Sequence, residues 1–105
     1  MANSLNMIEM ALAVVKDQAM IINLRKIEDA QRDFLLAEAD QNRNHNRELI
    51  RSIAKIDVEL IKLKNDFIKG KSNLDSESIK AIEDLIAFIE KDLQKKRKEL
   101  CAKKI

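Results

Sequence analysis

The sequence predicts an all-α fold: a helical bundle with coiled-coil-like seams, built from three helices over approximately 4–41, 47–69 and 76–103. Three observations carry that prediction. Leu49, Ile53, Ile56, Leu60, Leu63 and Phe67 recur at alternating steps of four and three, which places all six on one stripe of a helix. The 105 residues hold no proline and a single glycine, Gly70, too few for the turns of a sandwich or barrel. Hydrophobic residues (46%) and charged residues (36%) are mixed at helical spacing, as in long helices and unlike disordered chains. The length suits one domain, with 1–41 a long apolar association helix and 48–103 a helical hairpin.

For the first helix, Ser4 or Asn6 is the expected N-cap, and Glu9 completes a capping box with Asn6. The run Leu5–Leu24 is apolar on more than one face. Leu5, Ile8, Leu12, Val15, Ala19 and Ile22 form one stripe, which Met7, Met10, Ala11, Val14 and Ile21 widen. Glu9, Lys16 and Asp17 interrupt the run, and each would cost about 2.5–3.5 kcal/mol near a bilayer centre, so a membrane span is rejected. The expectation is a helix buried on two sides. One side covers the rest of the chain; the other covers a second subunit or a partner protein. The candidate interface is Leu5, Ile8, Met10, Leu12, Val14, Val15, Ile21 and Ile22.

Beyond Leu24 the apolar pattern thins, with Glu28 and Arg32 four apart in the orientation that supports an exposed helix. The stretch EADQNRNHNRE (38–48) has no large apolar residue, and its asparagines compete with helical backbone hydrogen bonds. It predicts a break near Gln41–Asn46, against the alternative of one continuous helix with asparagines in its seam. Asp40, Asn42, Asn44, Asn46 and Glu48 resemble the alternating ligands of an EF-hand loop, which would imply calcium. The pattern departs where the chemistry is strict: His45 replaces the turn glycine, and Arg51 replaces the bidentate glutamate.

The second helix gathers Lys62, Lys64 and Lys69 toward its C-terminal end, favourable for the macrodipole, and Gly70 is expected in a left-handed conformation after it. Asp75 is the expected cap of the third helix, with Leu74 and Ile79 as a hydrophobic staple. Ile79, Ile82, Ile86, Ile89 and Leu93 then form a seam matching that of the second helix. Two seams joined by a short link predict an antiparallel αα-hairpin with its turn at 70–75.

The charge is nearly balanced at +2, with 1–41 acidic and 42–105 basic. Cys101 is the only cysteine, which excludes an internal disulfide and points to a reducing, cytoplasmic setting. The N-terminus lacks a basic region before its apolar run, as a signal peptide would not, and Cys101 is misplaced for prenylation. His45 is the only histidine, and no nucleophile elbow, phosphate loop or Glu-x-x-His pair occurs. The expectation is therefore no enzyme, no cofactor and no metal. Lys95, Lys96, Arg97 and Lys98 are a candidate polyanion contact. The predicted function is a non-enzymatic protein–protein interaction module (an assembly factor, adaptor or small chaperone-like protein). It would act through the apolar N-terminal helix as a homo-oligomer or in a hetero-complex. The alternative is a binder of nucleic acid or an anionic surface through the lysine-rich C-terminal helix.

Overall fold

The computed structural model describes residues 4–40 and 45–103, and every one of its main elements is helical: α1 (Ser4–Val14), α2 (Gln18–Ala39), α3 (His45–Gly70) and α4 (Ser76–Lys103). A single 3-10 turn, Lys71–Asn73, separates α3 from α4. The all-α expectation holds, but four helices replace three.

The additional break falls at Val15–Asp17. Asp17 adopts an extended backbone (φ −71°, ψ 125°), and its carboxylate accepts the Met20 N–H at 3.1 Å. That is an N-cap, so a new helix starts there. A continuous helix over 4–39 would run about 54 Å, longer than the 46 Å long axis of the molecule. Instead α1 packs against both α2 and α4, with Ile8, Ala11 and Val15 buried. The two-sided apolar run is thus two helices, each with its own inward face. Ser4 and Asn6 lie inside α1 and do not precede it as caps.

α2 ends at Ala39, where the Asp40 N–H reaches the Leu36 carbonyl at 3.1 Å, and α3 begins at His45. The two run antiparallel: Asn23 bonds Asp66 at 2.7 Å, and Lys55 meets Asp33 at 3.2 Å. This excludes the continuous helix. Of the break itself, residues 41–44 lie outside the described residues, as do Asn42 and Asn44 of the EF-hand-like run. Asn46 and Glu48 belong to the first turn of α3.

α3 and α4 form the expected antiparallel hairpin. Lys71–Glu83 (3.6 Å), Lys64–Glu90 (3.0 Å) and Asp57–Arg97 (2.8 Å) step back seven residues on α3 while stepping forward seven on α4. Gly70 departs from expectation. It is the last residue of α3, at φ −101° and ψ 0°, and is right-handed. The 3-10 turn that follows, closed by Leu74 N–H to the Lys71 carbonyl at 3.1 Å, ends the helix without a left-handed residue. Asp75 caps α4 as expected, accepting the Ser78 N–H at 2.7 Å, and Leu74 and Ile79 are half-buried against the core. The Ser78 hydroxyl, 3.4 Å from the Val14 carbonyl, links the start of α4 to the end of α1.

Ile8, Leu24, Ile27, Ile56, Leu63, Ile82, Leu85 and Ile89 form the fully buried centre. All six residues of the Leu49–Phe67 stripe join it, each such side chain contributing about 1.5–3 kcal/mol of transfer free energy before entropy is subtracted. Among the described residues no helix is long and apolar enough to cross a membrane.

Candidate functional site

α3 carries a second apolar stripe on its outer side, apart from the buried one. Ile50, Ala54, Val58, Ile61, Asn65 and Ile68 all face solvent, and from Ala54 onward they alternate steps of four and three. Val58 is 50% exposed, Ile61 53% and Ile68 73%. One edge of this stripe, toward α2, holds Arg51, Lys55, Lys62 and Lys69. The edge toward α4 holds Asp57 and Lys64, and Lys71 follows in the 3-10 turn beyond the helix. Four of these lysines have carboxylate neighbours within the chain: Lys55 with Asp33 (3.2 Å), Lys62 with Glu59 (3.5 Å), Lys64 with Glu90 (3.0 Å) and Lys71 with Glu83 (3.6 Å). Their side chains are about half exposed, where an ion pair contributes roughly 0–1 kcal/mol. Arg51 and Lys69 have no carboxylate within 4.0 Å among the described residues. The sequence expectation took only the Leu49–Phe67 stripe from this segment, although the second four-three rhythm is present in the same residues.

The interface expected on the N-terminal helix is largely spent inside the chain. Ile8 and Val15 are covered by the chain's own helices, a correction to their reading as partner contacts. Leu5 is half-buried, and Leu12, Val14 and Ile21 are half-buried against the core. Only Met10, 67% exposed, and Ile22 face solvent.

The basic cluster is divided. Lys96 pairs with Asp92 and lies 4.6 Å over the Phe34 ring, and Arg97 is engaged by Asp57. Lys95 and Lys98 are exposed and have no carboxylate within 4.0 Å among the described residues. Lys91, Lys95 and Lys96 line a groove of about 510 Å³ between α2 and α4 with Phe34, Leu35 and Phe88. Glu38, Asp92 and Glu99 line it too, so its lysines are offset by carboxylates and it presents no cationic field to a phosphate.

Two charged residues are buried, Glu59 on α3, 3.5 Å from Lys62, and Glu28 in a group that spans α1 and α2. Glu28 on α2 is 4% exposed, and Arg32 stands 3.8 Å from it and 4.0 Å from Glu9 on α1. A hydrogen bond shared with Glu9 raises the Glu28 pKa above its ordinary value, helped by burial and the Glu9 charge and opposed by Arg32 and Arg25. The group ties α1 to α2. Cys101 is an exposed free thiol. Among the described residues no group of three or more His, Cys, Asp or Glu side chains is placed to hold a metal ion. Compared with known protein families, curated proteins and solved structures, the chain matches none.

Proposed function

We propose that this chain is a non-enzymatic protein–protein interaction module of the adaptor or assembly-factor kind, with the outer face of α3 as its contact surface. The observation that supports this reading is the exposed stripe Ile50, Val58, Ile61 and Ile68, on a helix whose other face is already packed. Contiguous exposed apolar surface of this kind marks interaction sites more often than scattered single residues do. Met10 and Ile22 are what remains on the surface of the N-terminal face expected from sequence. Polyanion binding through Lys95, Lys96, Arg97 and Lys98 is the weaker reading, because Lys96 is largely buried against Asp92 and the Phe34 ring, and Glu38, Asp92 and Glu99 offset the lysines of the adjoining groove.

The test is affinity capture from cells of the source organism, with wild-type protein, a Val58→Gln/Ile61→Gln variant and Met10→Gln as baits. A protein retained by the wild type and by Met10→Gln, and lost with the α3 variant, is the expected result. Circular dichroism should show the same helicity in all three. Loss with Met10→Gln alone would return the interface to the N-terminal face.

A further inference from the structure

Resting on that interaction reading, we propose that the outer face of α3 receives an amphipathic α-helix of a different protein, with acidic residues flanking its apolar seam. Ala54, Val58, Ile61, Asn65 and Ile68 alternate steps of four and three along about 21 Å of helix. That 3.5-residue period keeps a narrow seam facing a second helix along its length. A helix lying in a bilayer interface needs no such period and commonly buries a broader apolar arc. Asn65 sits in the middle of the exposed seam. At such a position a polar side chain lowers affinity but fixes register against a polar residue of the incoming helix.

Charge chooses between a second copy and a foreign helix. Lys55, Lys62 and Lys69 flank the seam at seven-residue steps on one edge, with Asp57 and Lys64 on the other. An antiparallel second copy would set Lys55, Lys62 and Lys69 against their own counterparts. A parallel one would set Lys64 against Lys69 but Asp57 against Lys62. Only Asp57 offers a carboxylate, so like charge opposes the antiparallel pair and the parallel pair gains nothing net from its flanks. In the isolated chain Asp33, Glu59, Glu90 and Glu83 occupy four of the lysines at 3.0–3.6 Å. The pairs of Lys55, Lys64 and Lys71 are half-exposed on both sides and exchange at little cost, whereas Lys62 stays with the buried Glu59. Arg51 and Lys69 wait without a partner among the described residues. A helix bearing Glu or Asp along both flanks, except opposite Asp57, meets the free and exchangeable cations.

Two synthetic 21-residue peptides test the proposal by fluorescence anisotropy. Both carry Leu along the seam with one central Asn; one has Glu and the other Lys at every flanking position. The Glu peptide is expected to bind the full chain, the Lys peptide roughly tenfold or more weakly, and added salt should narrow the gap. Val58→Gln/Ile61→Gln should abolish binding. Arg51→Glu/Lys55→Glu/Lys69→Glu should reverse the peptide preference. All five positions are exposed, so unchanged circular dichroism separates lost binding from lost folding. Equal binding of both peptides, or a preference surviving the charge reversal, overturns the proposal. So does binding to phosphatidylserine vesicles, but not to the Glu peptide, that Val58→Gln/Ile61→Gln removes. Light scattering that shows a dimer dispersed by the same variant would overturn the acidic helix and leave the interaction reading standing. No Glu-peptide binding alongside a captured cellular partner would do likewise.

Discussion

Asn23 on α2 donates a 2.7 Å hydrogen bond from its side-chain amide to the Asp66 carboxylate on α3, across 43 residues of sequence. Asn23 is buried, and Asp66 is half-buried. The bond stands near the far end of the α2–α3 hairpin from its connection, where helices without such a tie would splay most easily. A hydrogen bond to a charged group contributes about 1.5–3 kcal/mol, so Asn23→Ala should destabilise the fold by roughly that amount. A double-mutant cycle with Asp66→Ala in urea denaturation isolates the coupling. Coupling near zero would mean that the loss comes from Asn23 packing alone.

The two faces of α3 make opposite predictions for residues only two apart. Leu63 is fully buried, so Leu63→Ala should cost about 2–5 kcal/mol. Ile61 points to solvent, so Ile61→Ala should change stability by no more than about 0.5 kcal/mol. Thermal or chemical denaturation of the two variants checks both. A large loss at Ile61 in the isolated chain would show that its face is packed in solution.

Gly70 supplies a third prediction. Its backbone is right-handed and helical, and a Cβ added there meets nothing within 4 Å. Gly70→Ala should therefore stabilise the chain by about 0.4–1 kcal/mol through the lower entropy of the unfolded state. Had Gly70 been left-handed, the same change would have been destabilising. The sign of the shift in denaturation midpoint decides it.

Periodicity made the C-terminal hairpin legible. The Leu49–Phe67 and Ile79–Leu93 seams, the Asp75 cap and the stop near Gly70 each pointed to the same arrangement. The sharp break at Val15–Asp17 was hidden, because the apolar pattern resumes at Ala19 and Met20 and no glycine or proline marks the interruption. Asp17 can serve equally as a helix cap or as a charge that bars a membrane span, and its position in the sequence does not separate the two. The left-handed expectation at Gly70 failed because a 3-10 turn can end a helix equally well, and composition does not separate the two. The α3 surface was overlooked for a different reason. Once one four-three stripe accounted for the helix, Val58, Ile61 and Ile68 at the same rhythm on the outer side went unread.

The Glu9–Glu28 contact makes stability depend on pH with a definite sign. Glu28 is buried, shares a hydrogen bond with Glu9, and so has its folded pKa raised above the ordinary 4.5. The native state then binds a proton that the unfolded chain releases. Its contribution is most favourable below pH 4.5 and is lost as pH rises through the raised value, staying lost at neutral pH. Each unit by which the pKa is raised corresponds to about 1.4 kcal/mol. Asp75 acts in the opposite direction. The Ser78 hydroxyl and backbone N–H hold its pKa below the ordinary 3.8, so its contribution is present above 3.8 and fades as pH falls through the lowered value. Glu28→Gln keeps a hydrogen-bonding partner for Glu9 and removes the titration. The variant should therefore be more stable than wild type at pH 7, with the difference shrinking toward pH 4. Melting temperatures across that range measure the difference directly. If the variant is instead less stable at pH 7, Glu28 is acting as an ionised partner of Arg32, 3.8 Å away, and the shared proton is not what holds α1 to α2.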